Sequence, residues 1–512
     1  MKARPRILGA NGRPFEGRST GARPSTKRAA RGRYDAAQTS DDNRRHWSMA
    51  DGLSSRMTNS PAVRALLRNR SRYEIANNSY AHGLGLTLAN DTIGIGPSLQ
   101  MHTGDEGLDT AIEEAFCQWG AEVRLASKLR TMRLSRYGDG EAFALMTSNP
   151  RLMAPIELDL RLIEADQVTT PNIDPFNYQL VDGINYDPFG NPLSFNVLKY
   201  HPGDVLGFGA LFGQYDEIPA RLVLHWMRVE RPGQVRGVPE ITAALPLFAQ
   251  LRRYTLAVIA AAETAADFAA VLQSTSAPDD ETPAGEPFEA LEIEKRMLTT
   301  LPQGWVMNQF RPEQPSTNYK MFKEEILAEI GRTLCMPFNL ISGNSAGYNY
   351  ASGRLDYQIY FRNLRVDQVE CERVVLDPIF YAWLDEMSRA TDLLPGGADR
   401  LDGWAHEWIW NTTWHVDPQK EADAQATRLA NNTTTLANEY AARGLDWETQ
   451  LRQRAREVDL CRELGLAPAA ALPGPPAPGA PGSTPATPAE VTVPPDEGDA
   501  EEEDEYGTED ET

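Results

Sequence analysis

A long alanine-rich segment constrains this chain more than any other feature. Residues 241–272 contain no Gly or Cys and only one Pro, Pro246, near the start. Alanines concentrate in the second half, at 257, 260, 261, 262, 265, 266, 269 and 270. Because alanine has the highest helix propensity, we expect one helix over 241–272, about 48 Å long at 1.5 Å per residue.

This helix offers little apolar bulk to a monomeric core, because most of its apolar side chains are methyl groups. Small side chains let neighbouring helices approach closely. We therefore expect copies of the helix to pack against other subunits. The alternative is an ordinary core helix of a large domain, and the segment alone does not separate the two.

Composition indicates a soluble protein of several domains. The chain has 512 residues, of which 41% are hydrophobic and 24% charged, within the usual range for globular proteins. No apolar run is long enough to cross a bilayer and no signal-peptide core is present, so we expect an intracellular protein without membrane association. The four cysteines lie far apart, which predicts reduced core thiols rather than disulfides or a zinc site; they are Cys117, Cys335, Cys371 and Cys461.

Charge is distributed unevenly along the chain. Residues 1–33 hold ten Lys and Arg against the single acid Glu16, whereas residues 466–512 hold twelve acids and no base. The remaining body carries −19 of the total −22. Tight binding to duplex DNA depends on Lys and Arg neutralising phosphates, so this body predicts weak binding. Such a surface suits DNA that slides past, although solubility alone explains the charge equally well.

The periodicity of the first half predicts an α+β body with mostly antiparallel strands. A helix from Pro61 is expected to break at Gly83 and Gly85, before a short strand pair at 93–96. An amphipathic helix follows, with its apolar positions at Leu108, Ile112, Ala115, Phe116 and Trp119. A helix over 121–137 then leads to the strand EAFALMTS, and strands alternate with turns over 150–230.

The second half is predicted to be mainly helical. A small insert with the hairpin KRMLTTLPQGWVMNQF follows the long helix, and a second helix covers 319–336. Its apolar stripe consists of Phe322, Ile326, Ile330 and Leu334. A polar loop over 338–352 leads to a helix over 353–387, which we expect to kink near Pro378. Two or three short helices are expected in 418–465.

Catalytic motifs are weak. Gly343–Gly347 matches the G-x-S-x-G pattern of serine hydrolases, with Ser345 as the nucleophile, but that motif needs a strand before it and a helix directly after it. Asp139 and Glu141 flank Gly140 and are interpreted as a solvated hairpin tip rather than a carboxylate pair. No zinc-binding H-E-x-x-H motif and no phosphate-binding loop is present, so we expect neither a metal nor a cofactor.

Three blocks of sequence together resemble the portal proteins of tailed bacteriophages, of the lambda-like type. The first is RSRYEIANNSYAHGLGLTLANDTIGIGPSLQ and the second is HWMRVERPGQVRGVPEI. The third combines FKEEILAEIGRTLCMPFNLISGNSAGYNYASGR with WHVDPQKEADAQATRLANNTTTLANEYAARGLDWETQLRQRAREVDL. Their order and spacing fit from about residue 47 to residue 465.

The resemblance implies a structural protein rather than an enzyme. It implies a homo-oligomeric ring of about twelve subunits at one capsid vertex of the virion, made in the host cytoplasm. Such a ring passes double-stranded DNA during packaging and ejection. Its other implied partners are the terminase large subunit, a head–tail adaptor protein, the major capsid protein and the scaffold, with no membrane and no cofactor.

The resemblance also implies a portal-type fold, with an α+β wing, long stem helices, a small α/β clip insert and a helical crown. The regions map by order as a disordered basic arm at 1–46, the wing at 47–236, a stem helix at 237–272, the clip at 273–318, a second stem helix at 319–336, the tunnel loop at 337–352, a kinked helix with the return to the wing at 353–417, the crown at 418–465 and a disordered acidic tail at 466–512.

Two sets of candidate channel residues follow from this mapping. The tunnel-loop set offers hydrogen bonds and aromatic faces without positive charge, and consists of Asn339, Ser342, Asn344, Ser345, Tyr348, Asn349 and Tyr350. Glu263 and Asp267, one helical turn apart, are candidates for acidic groups facing the channel. The alternatives are another structural protein of the phage head, a serine hydrolase using Ser345, and a nucleic-acid-binding protein acting through residues 1–33.

Overall fold

The described part of the chain is given by a computed structural model. It comprises residues 45–170, 179–204, 214–267, 271–274, 305–308, 318–347, 350–391, 404–410, 418–441 and 447–465. The predicted tails, apart from residues 45 and 46, and most of the predicted insert fall outside these ranges. The chain divides into two compact units, one ending at Leu445 and one beginning at Asp446.

Helices and strands alternate in the first half of the first unit, and helices dominate its second half. The helices are α1 Ser55–Thr58, α2 Pro61–Asn77, α3 Ser79–Ile93, α4 Glu106–Glu122, α5 Leu125–Asp139, α6 Leu245–Asp267, α7 Asn318–Thr333, α8 Phe338–Ser342, α9 Tyr350–Cys371, α10 Asp377–Ala390, α11 Pro418–Ala430 and α12 Leu436–Ala441. The strands are β1 Ser98–Met101, β2 Glu141–Ser148, β3 Leu158–Ile163, β4 Leu180–Val181, β5 Ile184–Tyr186, β6 Pro192–Leu198, β7 Tyr215–Pro219, β8 Val223–Met227, β9 Val271–Ser274, β10 Trp305–Asn308 and β11 His406–Ile409. In the second unit, α13 spans Trp447–Glu463.

All strand pairs in the described residues are antiparallel, as the sequence predicts. One sheet has the order β3-β2-β8, and a second has the order β4-β5-β6-β7. Two further pairs join distant parts of the chain, β1 with β11 and β9 with β10. The fold is therefore a mixed α+β fold. Within the described ranges, no helix combines the length and hydropathy that crossing a lipid bilayer requires.

Three hydrophobic cores hold the first unit together. One face of the three-stranded sheet packs against α4, α5 and α10, around Phe116, Trp119 and Trp383. The other face of that sheet meets the four-stranded sheet around Phe143 and Phe195. The third core is helical and is formed by α3, α6, α7, α8 and α9. Helix α5 lines the first core with Leu129 and Met132 and the third with Tyr137, and so connects them.

The predicted break at Gly83 and Gly85 is wrong, because both glycines lie inside α3. Gly85 is needed for packing rather than for a turn: a Cβ there would lie 2.7 Å from Cε1 of the buried Tyr137. The strand pair predicted at 93–96 is also absent, since α3 ends at Ile93 and Gly94 caps it. Strand β1 starts at Ser98 instead and pairs with the distant β11.

The long helix is shorter than predicted. A 3-10 turn covers Thr242–Ala244, and α6 then runs from Leu245 to Asp267, about 35 Å at 1.5 Å per residue. Val271 and Leu272, the last two residues of the predicted helix, lie instead in β9, Val271–Ser274, which pairs with β10. A long-range strand partner therefore overrides local helix propensity here. The segment WVMN, predicted as one strand of a local hairpin, pairs instead with Val271–Ser274. The rest of the predicted hairpin falls outside the described residues.

The structure differs from the prediction at the loop 338–352 and in the helix after it. Local backbone hydrogen bonds account for both differences. Phe338–Ser342 forms the short helix α8, and α9 begins at Tyr350. Between α9 and α10 the chain makes one turn of π-helix, Glu372–Leu376. Pro378 follows directly, and it lacks the N–H that an α-helix needs. The wider π turn accommodates this proline, which accounts physically for an irregularity at the predicted position.

The remaining predictions meet mixed outcomes. Helix α4 buries Ile112, Phe116 and Trp119 as expected, and three helices occupy 418–465. The four cysteines are free, but only Cys371 is buried, and Cys117 is exposed. The expectation of four core thiols is therefore wrong, because Cys117 lies on the outer face of the amphipathic helix α4.

Gly83 and Gly85 provide a matched test of the packing of α3. An added Cβ has nothing within 4 Å at Gly83, so Gly83→Ala should stabilise the protein by about 0.4–1 kcal/mol. Gly85→Ala forces the buried Tyr137 ring to shift, at a cost of about 1–3 kcal/mol from overpacking. We expect thermal unfolding to show a higher Tm for the first variant and a lower Tm for the second. Equal shifts would contradict the close packing of α3 on α5.

Candidate functional site

The central feature of the first unit is a buried ion-pair cluster where α2, β2, β8 and the segment before α6 meet. We define the central cluster as Glu141, Arg236, His225 and Arg68. Glu141 is fully buried and the Arg236 side chain is almost so. Nε of Arg236 lies 3.0 and 2.9 Å from the two carboxylate oxygens of Glu141, and Nη2 lies 2.7 Å from Oε1.

The rest of the Arg236 guanidinium fixes loops that belong to the two sheets. Nη1 donates to the carbonyl oxygens of Val168 and Asp182, at 2.8 and 2.6 Å, and Nη2 donates to that of Ala165 at 3.0 Å. The neighbouring Gly237 N–H donates to Glu141 at 3.0 Å. Arg236 therefore binds one carboxylate and three backbone carbonyls, and so it sets where the segment leading to α6 must lie.

Two glycines allow the backbones to approach at this point. A Cβ on Gly237 would lie 2.0 Å from the carbonyl oxygen of Gly140, and a Cβ on Gly140 would lie 2.2 Å from the Val238 carbonyl carbon. Gly140 also has a φ of 89°, in the left-handed region that favours glycine. The motif Arg236-Gly237 is thus matched to Gly140-Glu141 in both charge and shape.

The electrostatics of the central cluster keep Glu141 ionised and His225 neutral. Burial alone would raise the pKa of Glu141, but Arg236 and His225 lower that pKa well below its usual range. Burial lowers the pKa of His225, whose Nε2 lies 3.0 Å from Glu141 and whose ring stacks on Phe143. Both shifts make the folded state bind fewer protons than the unfolded chain. Their contribution to stability is present above the unfolded pKa values and is lost as the pH falls.

A second cluster connects α5 with α9 and with the start of α6. We define the α5–α9 cluster as Arg133, Arg136, Glu240, Asp367 and Glu370. Nη2 of Arg133 lies 3.0 Å from Glu240 and 3.1 Å from Asp367. Arg136 lies within 3.1 Å of all three acids, and its guanidinium covers the ring of Trp226 at 5.1 Å.

Three arginines anchor helix α2 through ion pairs that the sequence analysis does not predict. Arg64, Arg68 and Arg72 recur every four residues and so lie on one face of the helix. Arg64 pairs with Asp182, Arg68 lies 2.9 Å from Asp166, and Arg72 lies 2.7 Å from Asp139. This four-residue spacing of arginines was the available sequence signal.

The prediction that Asp139 and Glu141 form a solvated hairpin tip is wrong. Asp139 ends α5 and Glu141 begins β2, and both side chains are buried against arginines. Their partners come from positions far away in sequence, so local spacing does not reveal them. The two clusters are ion-pair networks that orient helices.

The predicted tunnel-loop residues are divided between a helix and a turn. Asn339 and Ser342 lie on α8, and Nδ2 of Asn339 donates to the hydroxyl of Tyr357 at 3.0 Å. Asn344 and Ser345 lie in the exposed turn after Gly343. Tyr350 begins α9, while Tyr348 and Asn349 fall outside the described residues.

The geometry around Ser345 does not match a serine hydrolase. The segment before the G-x-S-x-G pattern is the helix α8 rather than a strand, and two further residues separate Gly347 from α9. Within the described ranges, no hydrogen bond joins the Ser345 hydroxyl to a histidine. The elbow that exposes a nucleophile is therefore missing here.

Helices α6 and α7 form an antiparallel pair that leaves the helical core. Phe248 and Leu251 of α6 are buried, whereas residues 252–263 include no buried side chain. Beyond the core, Tyr254 contacts Tyr319 and Phe322 of α7, with ring centroids 5.6 and 4.8 Å apart. Glu263 is exposed near the far end of α6, and Asp267 is its last residue.

Exposed apolar side chains occur on each of three helices in this part of the molecule. They occur on α6 at Leu256 and Ile259, on α7 at Met321 and Phe322, and on α9 at Leu355, Ile359 and Val366. Single exposed apolar residues are ordinary, but several on neighbouring helices indicate a contact surface. The central cluster and the α5–α9 cluster hold these helices in place.

Removing the charge of Glu141 tests the central cluster. Glu141→Gln leaves the buried Arg236 without its carboxylate, which should lower the free energy of unfolding by about 3–5 kcal/mol. The matched control is Glu114→Gln on the exposed face of α4, which should change it by less than about 0.5 kcal/mol. Chemical denaturation measures both. Equal stability of the two variants would show that Glu141 does not anchor Arg236.

Comparison with known proteins places these features in a family. The chain is 23% identical over 431 residues to the "Probable portal protein" of Halomonas phage phiHAP-1, covering 78% of this chain and 81% of that protein. The neck of an empty gene transfer agent particle has a TM-score of 0.40 and 12% identity, covering 74% of this chain and 93% of that one. The neck of the native particle has a TM-score of 0.39 and 13% identity, covering 79% and 99%. A family model described as "Phage portal protein, lambda family" matches residues 42–368. Since this match extends over well more than half of the sequence, the chain belongs to the lambda family of phage portal proteins.

Proposed function

We propose that this chain is the portal subunit of a tailed phage. About twelve copies form a ring at one vertex of the capsid in the virion, and double-stranded DNA passes through the ring during packaging and ejection. Family membership supports the role. The observation that carries the ring is the exposed apolar surface on α6, α7 and α9, because the described residues of one copy leave it uncovered.

We assign the described elements to the regions of a portal subunit by their order along the chain. The mixed α+β part before α6 is the wing, α6 and α7 are the stem helices, and the pair β9–β10 belongs to the clip. Helices α11, α12 and α13 belong to the crown. In this proposal the two ion-pair clusters fix the direction of the stem helices relative to the wing.

The channel surface is proposed to include the turn after α8 and the acidic end of α6. Asn344 and Ser345 are exposed and uncharged, and the Asn344 N–H donates to the carbonyl oxygen of Asn339 on α8 at 3.2 Å. Glu263 and Asp267 add negative charge at the end of the stem. Weak, uncharged contacts and like-charge repulsion let a duplex move without being held.

The proposed partners are those of a head vertex. They are double-stranded DNA, the terminase large subunit, a head–tail adaptor protein, and the major capsid protein with its scaffold. The role is mechanical and needs no catalytic residue, cofactor or metal.

The oligomeric state tests the ring directly. Twelve chains of 56.7 kDa make a particle of about 680 kDa. Native mass spectrometry should find a mass near this value, and electron microscopy should show a ring with an axial hole. Rings of eleven or thirteen chains also support the proposal. A monomer at all salt concentrations contradicts it.

Added charge in the turn after α8 tests its place in the channel. A ring of Asn344→Arg/Ser345→Arg subunits should bind linear duplex DNA at least tenfold more tightly than the wild type, because arginines neutralise phosphates. Closed circular DNA cannot thread the ring, so its binding should not improve. Fluorescence anisotropy measures both affinities.

The matched control adds the same charge elsewhere. Met153 and Phe189 are highly exposed in the wing, and Met153→Arg/Phe189→Arg should raise the affinity for linear and circular DNA equally. If the turn variant also treats linear and circular DNA alike, the turn does not line the channel.

A further inference from the structure

Helix α9 has one exposed face that is both basic and apolar. We define the arginine face as Arg354, Leu355, Ile359, Arg362, Arg365 and Val366. Leu355, Ile359 and Val366 are 63%, 50% and 64% exposed, values that are high for aliphatic side chains. From residue 352 to 371 no acidic side chain is exposed.

Asp356, Asp367 and Glu370, the acids between residues 352 and 371, are half-buried. Asp367 and Glu370 are occupied by the arginines of the α5–α9 cluster. Arg365 lies 3.2 Å from Glu372 of the π turn, whereas Arg362 makes no ion pair within the described ranges. The face therefore keeps positive charge available for a partner.

Helix α7 has an exposed face of the opposite charge. We define the glutamate face as Met321, Phe322, Glu325, Ala328 and Glu329. Phe322 is 51% exposed, and all five side chains are exposed. In the described part of the molecule neither Glu325 nor Glu329 has an ion-pair partner. The small Ala328 lets another helix approach closely at the centre of the face.

One copy of the chain cannot bring the two faces together. Both helices bury their other sides in the same helical core, α7 with Leu327 and Ile330 and α9 with Tyr360 and Leu364. In the described residues of one chain both faces stay exposed. A second copy of the chain offers to each face the oppositely charged face that it lacks.

The order of residues selects the orientation in which the faces fit. In α7 the apolar Phe322 precedes Glu325 by three residues, and in α9 the apolar Ile359 precedes Arg362 by three residues. In a parallel arrangement, apolar side chains meet and Glu325 meets Arg362. Glu329 then lies next to Arg365 and Val366. An antiparallel arrangement centred on the pair of Glu325 with Arg362 places the apolar Phe322 opposite Arg365 instead of Ile359.

We propose that the arginine face of α9 in one subunit docks in parallel on the glutamate face of α7 in the next subunit. This inference rests on the proposed ring and names the contact that closes it. The contact joins two different patches, so each copy uses one patch toward each neighbour, and such heterologous contacts generate rings. The aliphatic side chains between the arginines favour a protein partner over DNA phosphates.

Charge reversal of one face at a time tests the docking. In Arg362→Glu/Arg365→Glu, glutamates meet glutamates, and in Glu325→Arg/Glu329→Arg, arginines meet arginines. Each variant alone should need a protein concentration about tenfold higher, or more, for half-assembly, because like charges are juxtaposed. Analytical ultracentrifugation measures assembly. The control Arg151→Glu/Arg161→Glu makes the same charge change at exposed wing positions and should assemble like the wild type.

Mixing the two variants gives the decisive result. At contacts between unlike subunits, an unchanged arginine face meets an unchanged glutamate face, or a reversed α9 face meets a reversed α7 face. Contacts between like subunits still bring like charges together. A one-to-one mixture should form rings again, and native mass spectrometry with one variant isotope-labelled should find equal numbers of both. If each variant forms normal rings alone, or if the mixture fails to assemble although both variants are folded by circular dichroism, the docking is overturned.

Cross-linking keeps the proposal testable if a reversed variant does not fold. Phe322→Cys/Ile359→Cys, with the exposed Cys117→Ser, should form disulfides between subunits and give covalent oligomers on oxidation. If the wild type forms rings but the cysteine variant gives no such cross-links, the docking is overturned and the ring is not. Absence of wild-type rings overturns the proposed function itself. Normal rings of Arg362→Glu/Arg365→Glu that bind linear DNA more weakly would assign the arginine face to DNA.

Discussion

The pair of Glu141 and Arg236 is the interaction on which the rest of the structure depends. A buried ion pair adds little net stability compared with apolar packing, but it is directional, and loss of one partner leaves a charge without compensation. Arg236 binds Glu141 and three backbone carbonyls at once. It therefore specifies a single path for the segment that leads from the sheets to α6.

Helix α5 converts this local constraint into the arrangement of the helical part. Its end carries Asp139, next to Glu141, and its middle carries Arg133 and Arg136, which bind Glu240 before α6 and Asp367 on α9. These contacts therefore fix the positions of the helices that bear the exposed apolar residues. In the proposed ring, these contacts give every subunit the same geometry.

The outcome for individual residues shows where sequence interpretation succeeds. The stripe of Ile112, Phe116 and Trp119 predicted a buried helix face, because burial follows helical periodicity within one element. Local spacing fails at Asp139 and Glu141. It predicts a solvated turn, whereas their arginine partners bury both side chains. Glycine is expected to break a helix at position 85, yet Gly85 lies within α3, where the lack of a Cβ leaves room for the ring of Tyr137.

Sequence by itself determined the family, the α+β class, and most helices and strands, because these depend on periodicity and on motifs of neighbouring residues. Only the tertiary structure decided where the long helix ends, since β9 finds its partner β10 more than thirty residues later. It also decided which charges are buried, because the partners of Glu141 lie far away in sequence. Burial and long-range pairing are properties of the assembled chain, and no local pattern contains them.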